Sequence, residues 1–252
     1  MDIEKLRKEI DATDFEIVRL FEKRMQISKE IGAYKKANDL PLFDKKREDA
    51  LFKSRVNMLS DKQLKSYLTP LLKTLVELSK SYQFKKNIAL IGMMGSGKTS
   101  KGKVVANRLG MRFVDIDEKI EKEQKMSVAQ LFQTLGETAF RRLESEKIKR
   151  YAKRKNYLIS TGGGAVLCHE SMELLQKNGV TIFLNRDIDI IVNSIDAKNR
   201  PLLKDGTQKL YDIYNERLPL YKRWSDIEIR NEHETIDEAA DEIISTLFKL
   251  AR

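Results

Sequence analysis

The sequence predicts a chain of two domains: an all-α domain of three helices over residues 1–84, followed by an α/β domain with a parallel sheet over residues 85–252. Three observations carry this prediction. From Met1 to about Asn38 there is no proline and one glycine, Gly32, and apolar residues fall at helical spacing. After Gln83 the pattern changes within five residues to a short apolar run that leads straight into a glycine-rich turn, as a buried parallel strand does. At 252 residues, 41% hydrophobic and 34% charged, the chain has material for two ordinary cores and the composition of a globular protein.

The first helix is the longest element. Ile3, Leu6, Ile10, Ile17, Leu20, Ile27, Ile31 and Tyr34 keep a three-four alternation, with Thr13 and Arg24 filling the two remaining seam positions. About 37 residues at 1.5 Å each reach roughly 55 Å, longer than a domain of some 85 residues is wide. Such a helix needs a partner along its length. A second copy of itself is the simplest, so the sequence predicts a homodimer through the helical domain. Pro41 marks a break, Asp44 to Met58 reads as a second helix, and Asp61 to Gln83 as a third, with Pro70 signalling a kink or a late start.

Polar residues in these helices are informative. Arg24 falls on the apolar seam, where an unpartnered charge is costly. Lys35 lies eleven residues further on, about three turns and within roughly 20° of the same face. Two cations on one apolar face point to a buried anion, or, for Arg24, to a glutamate of another helix. Asp44, Arg47 and Glu48 stand at i, i+3 and i+4 on one face of the second helix, and Ser79 and Gln83 one turn apart on the third.

In the second part, strands are expected at 87–91, 112–114, 157–160, 181–184 and 227–229, separated by helical stretches, an α/β alternation. Gly92-Met93-Met94-Gly95-Ser96-Gly97-Lys98-Thr99 matches the phosphate-binding loop GxxxxGK[ST], with a strand before it and helical sequence after it. Its glycines turn backbone amides towards a nucleotide's β-phosphate. Lys98 supplies a cation to the β- and γ-phosphates, and the Thr99 hydroxyl ligates Mg²⁺. By itself the loop specifies ATP-type chemistry but no acceptor.

Four further stretches address the acceptor: Phe113-Val114-Asp115-Ile116-Asp117, Gly136-Glu137-Thr138-Ala139-Phe140-Arg141, Thr161-Gly162-Gly163-Gly164, and Arg200-Pro201-Leu202-Leu203 followed by Arg217-Leu218-Pro219-Leu220-Tyr221. With the loop they make residues 86–252 closely resemble shikimate kinase. The resemblance implies a P-loop kinase fold and transfer of the ATP γ-phosphoryl to the 3-hydroxyl of shikimate. Asp117 would take the proton of the attacking hydroxyl, and Asp115 would support Mg²⁺ through water. Arg141 and Arg217 would bind the shikimate carboxylate, Gly162, Gly163 and Gly164 would admit the ring, and Arg200 would close over the phosphoryl group from a mobile lid. Where the family often has an adenine-stacking arginine, this chain has Asn193. Related kinases acting on gluconate or nucleoside monophosphates share the loop and an arginine lid.

Together with Arg7, the polar pattern of residues 1–84 resembles the all-helical, type II chorismate mutases, which form intertwined dimers of three-helix chains. The resemblance implies isomerisation of chorismate to prephenate, a concerted rearrangement needing no cofactor. Arg7 and Arg24 would clamp carboxylates, and Lys35 with Gln83 would donate to the breaking ether oxygen. Glu48 would accept from the ring hydroxyl, Ser79 would assist a carboxylate, and Asp44 with Arg47 would order the second helix. On a straight helix Arg7 and Arg24 lie roughly 25 Å apart, so an antiparallel dimer would supply Arg7 from the partner. The alternative is a helical domain that senses chorismate or prephenate and regulates the kinase.

The net charge of +10 is dispersed, +4 in residues 1–84 and +6 in the rest, with acids mixed among the bases and no interleaved aromatic platforms. It therefore reads as a solvated surface rather than a nucleic-acid track. No apolar stretch is long enough to span a bilayer, and Met1-Asp2-Ile3-Glu4-Lys5 does not begin a signal peptide, so a cytoplasmic protein is expected. The single cysteine, Cys168, reads as a small buried thiol, and the two histidines form no metal cluster.

Overall fold

The computed structural model describes residues 2–41, 44–84, 86–194 and 208–250. The chain divides into two compact units, Met1–Phe84 with Phe248–Arg252, and Lys85–Leu247.

In the first unit, helix α1 (Ile3–Ala37) runs uninterrupted for 35 residues, capped by the Asp2 carboxylate, which accepts from Glu4 N at 3.0 Å. Helix α2 (Lys45–Asn57) begins at Asp44, whose carboxylate accepts from Arg47 N at 3.0 Å. Asp44 is thus the cap of α2 rather than part of its first turn, a placement worth about 1 kcal/mol to the helix. A 3-10 turn, Lys62–Leu64, precedes helix α3 (Lys65–Phe84), so the third helix starts late and then runs through Pro70. Pro70, the sixth residue of α3, lacks the N–H that would bond the carbonyl of Ser66.

Helix α3 packs on α1 and α2. Gly32 makes the close approach possible: a Cβ there would lie 2.9 Å from Gln83 Cγ. Much of the α1 seam, however, stays uncovered. Ile10, Ile17 and Leu20 expose 61%, 57% and 55% of their surface, far more than an apolar stripe buried within its own chain.

The second unit holds a five-stranded parallel sheet in the order β2-β3-β1-β4-β5. Its strands are β1 (Asn87–Ile91), β2 (Arg112–Asp115), β3 (Tyr157–Ser160), β4 (Gly179–Asn185) and β5 (Ile227–Arg230). Central β1 is buried along its whole length, which is why its sequence does not alternate. Each of Ile88, Leu90 and Ile91 removes a full side chain from water, about 1.5–3 kcal/mol apiece as an upper bound. The helices are α4 (Lys98–Arg108), α5 (Ile116–Gln124), α6 (Val128–Ala152), α7 (His169–Asn178), α8 (Ile188–Ser194), α9 (Gln208–Trp224) and α10 (Ile236–Leu250). Asn87 ties β1 to its neighbours: its amide donates to Ala152 O at 3.1 Å and Arg154 O at 2.6 Å, and accepts from Tyr157 N at 3.0 Å.

Two local features aim side chains at the sheet's C-terminal edge. At Gly136 (φ 78°, ψ 167°) α6 breaks and restarts, so the turn carrying Arg141 and Glu144 is independent of the preceding one. On α9, Leu210, Ile213, Arg217, Tyr221 and Trp224 form one buried stripe, with Arg217 the only charge in it. Among the described residues no helix is long and apolar enough to cross a membrane.

Candidate active sites

The phosphate loop follows β1 and opens α4. Gly92, Gly95 and Gly97 hold φ of 144°, 77° and 83°, conformations that favour glycine, and a Cβ on Gly92 would lie 2.6 Å from Leu184 O. Lys98 Nζ folds over the loop, donating to Gly92 O at 2.8 Å and Met93 O at 2.7 Å. Thr99 Oγ1 donates to Asp115 Oδ2 at 2.6 Å, leaving its own lone pairs available to a cation. Ser160 Oγ shares that oxygen at 2.8 Å, and Asp115 Oδ1 accepts from Asp117 N at 3.0 Å and Glu118 N at 3.2 Å. Both Asp115 oxygens are therefore engaged, which fits contact with a cation through water. No group of three His, Cys, Asp or Glu side chains among the described residues is placed to hold a metal.

Beside the loop lies a cleft of about 1030 Å³, whose wall includes Lys98, Thr99, Asp117, Arg141, Gly162, Gly163, Gly164 and Arg217. Every described residue expected to hold the acceptor thus meets in one place. Glu144, which sequence reasoning missed, joins them: it is 2% exposed, and Arg141 Nη1 donates to its Oε2 at 2.7 Å. Arg141 also donates from Nε and Nη2 to Glu137 Oε1 at 3.3 and 3.1 Å. Although burial disfavours its charge, these carboxylates hold the Arg141 guanidinium above its ordinary pKa. Burial pushes the Glu144 carboxyl up against the pull of Arg141. The Asp117 carboxyl is pushed up to about 7, first by burial and then by Glu144 and Asp115, with Lys98 and Arg141 opposing.

The glycine triplet is a matter of space. A Cβ on Gly162 would lie 2.2 Å from Glu144 Oε1 and 2.8 Å from Asp117 Oδ1. Gly163 O accepts from Tyr221 OH at 2.5 Å, and Tyr221, stacked on Phe183 with centroids 5.0 Å apart, fixes α9 to this turn. Burial raises the Tyr221 phenol well above its ordinary pKa, so it remains a donor. Arg200 lies outside the described residues.

In the helical unit, Arg24 donates from Nη1 to Leu75 O at 2.8 Å and to Ser79 Oγ. Its partners among the described residues are these oxygens, and no glutamate of another helix meets it. Gln83 packs against Gly32, its Oε1 enclosed without a hydrogen-bond partner. Lys35 stands near Arg47, Asp44, Glu48 and Lys80. Its ammonium is pushed below the ordinary lysine range, first by burial and then by Arg47, with Asp44 and Glu48 opposing. Lys80, also missed, bridges both Glu48 oxygens at 3.0 and 3.2 Å. Its position one turn before Gln83, on the helix that also carries Ser79, was the available signal. Arg7 is not brought to the others within one chain. It pairs with Glu4 at 2.6 Å, 17 residues and roughly 25 Å of helix from Arg24.

Comparison with known proteins matches both units. Residues 94–248 match the family described as "Shikimate kinase", and residues 6–84 match "Chorismate mutase type II". A shikimate kinase of Thermodesulfovibrio yellowstonii is 41% identical over 169 residues, covering 66% of this chain and 97% of that protein. One from Caldanaerobacter subterraneus subsp. tengcongensis is 42% identical over 168 residues, covering 66% and 98%. Among solved structures, shikimate kinase from Acinetobacter baumannii in complex with shikimate superposes with a TM-score of 0.62 at 31% identity, over 64% of this chain and 92% of that one. With the phosphate loop, the acceptor cleft and this extent of similarity, the chain belongs to the shikimate kinase family, and it carries a type II chorismate mutase domain ahead of the kinase.

Proposed function

We propose that the chain catalyses two reactions of the shikimate route: isomerisation of chorismate to prephenate in its helical unit, and ATP-dependent phosphorylation of shikimate at the 3-hydroxyl in its α/β unit. The observation that carries the kinase reading is that Asp117 Oδ1, Glu144 Oε1 and Arg217 Nε are all enclosed without partners in and around one cleft. Two acceptors and a guanidinium donor left unsatisfied suit a ligand bearing hydroxyls and a carboxylate.

In this reading Arg141 and Arg217 bind the carboxylate while Gly162, Gly163 and Gly164 let the ring approach the backbone. Asp117 accepts the proton of the attacking hydroxyl, and a carboxyl poised near 7 is suited to that task. Lys98 leaves the loop carbonyls for the β- and γ-phosphates. Mg²⁺, held by the Thr99 hydroxyl and reached by Asp115 through water, would neutralise phosphate charge. Purified chain with ATP and shikimate should yield shikimate 3-phosphate. ATP consumption with gluconate or a nucleoside monophosphate but not with shikimate would refute the assignment.

For the mutase, Arg24, Lys35, Arg47 and Ser79 meet the substrate's carboxylates and ether oxygen, together with Gln83, and Glu48 accepts from the ring hydroxyl while Asp44 secures α2. The exposed α1 seam supports a homodimer of antiparallel long helices, in which the partner subunit's Arg7 completes each site. In this reading both reactions run in the cytoplasm. Co-producing Arg7→Ala and Arg24→Ala chains should restore about a quarter of wild-type mutase activity, since half the dimers are mixed and half their sites intact. No recovery in confirmed mixed dimers would contradict the shared site, and chorismate bound but not consumed would favour a sensing domain.

A further inference from the structure

On the side away from the acceptor cleft the phosphate loop is held by two polar side chains and approached by a third. Arg186, just past β4, donates from Nη1 to Gly95 O at 2.9 Å. Asn231, just past β5, donates from Nδ2 to Ser96 O at 2.5 Å. Lys101, on α4, reaches back so that a Cβ on Gly97 would lie 2.6 Å from its Nζ. Strand order fixes the sides. The loop leaves central β1, the acceptor residues follow β2 and β3 or come from α6 and α9, and Arg186 and Asn231 follow β4 and β5 across the loop.

Lys101 is only 9% exposed, and among the described residues neither it nor Arg186 meets a carboxylate. Burial, and then the Arg186 charge, push its ammonium below the ordinary lysine range. Two neighbouring cations with no carboxylate partner among the described residues favour an anion beside them. Transfer geometry says which anion. The attacking oxygen, the γ-phosphorus and the β-bridging oxygen lie roughly in line, so the α-phosphate and nucleoside must leave on the side opposite the acceptor. That is the side on which Lys101 and Arg186 stand.

We infer that Lys101 and Arg186 form an anion subsite for the α-phosphate of the bound nucleotide, adding affinity that does not depend on the identity of the base. The inference rests on the kinase reading of this cleft, but uses none of its acceptor residues.

Calorimetric binding of ADP and GDP to the full chain, with the KM for shikimate and the Tm, tests it in wild type, Lys101→Met, Lys101→Arg and Arg186→Met. Loss of one charge-assisted contact predicts that each Met variant binds ADP and GDP about tenfold more weakly, by the same factor for both. The KM for shikimate should not change, and Lys101→Arg should keep ADP affinity within about threefold of wild type. Lys101→Met removes a buried charge, so its Tm should hold or rise while ADP binding falls, a divergence that a purely structural lysine would not produce. Should Arg186→Met unfold through loss of its bond to Gly95, the Lys101 variants still decide. ADP affinity unchanged in Lys101→Met overturns the subsite, as does a loss confined to one base. A wild-type chain that binds ADP yet does not phosphorylate shikimate would instead refute the acceptor reading, with the nucleotide subsite judged by the same variants.

Discussion

Gly164 and the Arg141 guanidinium occupy one pocket of space: a Cβ on Gly164 would lie 2.2 Å from Arg141 Nη2 and 2.3 Å from its Cζ. The glycine is there for the arginine. Because Arg141 is also held by Glu144 and Glu137, it has little freedom to step aside. Gly164→Ala should therefore raise the KM for shikimate by about tenfold or more, the loss of one well-aligned charge-assisted contact. Steady-state kinetics would show this, with chorismate rearrangement unaffected.

Asp117 gives the kinase a pH signature. With its carboxyl pushed up to about 7 by burial, Glu144 and Asp115, Asp117 in its proposed role as base would have to lose a proton before accepting one. The kcat/KM for shikimate should fall as pH drops below about 7. Glu144→Gln removes a like charge while keeping a partner for Arg141, so the acid limb should move to lower pH.

The same shift appears in stability, with the sign set by a folded pKa above the unfolded one. The folded chain holds this proton more tightly, so Asp117 contributes stability below about pH 4 that is lost as pH rises through about 7. Asp117→Asn should then stabilise the protein at pH 8, by at most about 4 kcal/mol, and little at pH 3.5. Urea unfolding at the two pH values measures the difference.

The proposed role of Lys35 predicts the opposite limb in the helical unit. Its ammonium is lowered by burial and by Arg47, so mutase kcat/KM should decline on the alkaline side below the usual lysine range. Asp44→Asn keeps a helix-capping oxygen for Arg47 N but removes a carboxylate that favours the charged lysine. The alkaline limb should move further down in that variant. A limb that stays in place would separate Lys35 from the rate.

Gly32→Ala is a packing test of Gln83. Alanine favours an α-helix by about 1 kcal/mol over glycine, but the new Cβ would press on Gln83 Cγ at 2.9 Å and Cβ at 3.0 Å. Mutase kcat should fall about tenfold with little change in Tm, a displaced side chain in an intact fold. Shikimate phosphorylation should be unchanged.

Local patterns made much of this legible. The α1 seam, the strand before Gly92 and the Gly162-Gly163-Gly164 turn each rest on a period or a residue type that the backbone demands. The unread residues depend on tertiary placement. Glu144 matters because α6 restarts at Gly136 and turns one face to the cleft, and Lys80 because α3 packs where Glu48 can reach it. Asp44 was expected in the second helix but caps it, since a carboxylate preceding a helix competes for the free amides. Pro70 is read as a kink or a late start; α3 begins at Lys65, after a 3-10 turn, and continues through Pro70.

The central claim is that two chemistries reside in separate units of one chain, and paired assays on Lys98→Ala and Lys35→Ala test it most directly. Chorismate disappearance and shikimate-dependent ADP release are followed for each variant beside wild type. Wild type should show both. Lys98→Ala, which removes the cation now folded over Gly92 and Met93, should lose ADP release and keep chorismate rearrangement, and Lys35→Ala should do the reverse. Loss of both activities in either variant, with circular dichroism unchanged, or no chorismate turnover in wild type, would contradict it.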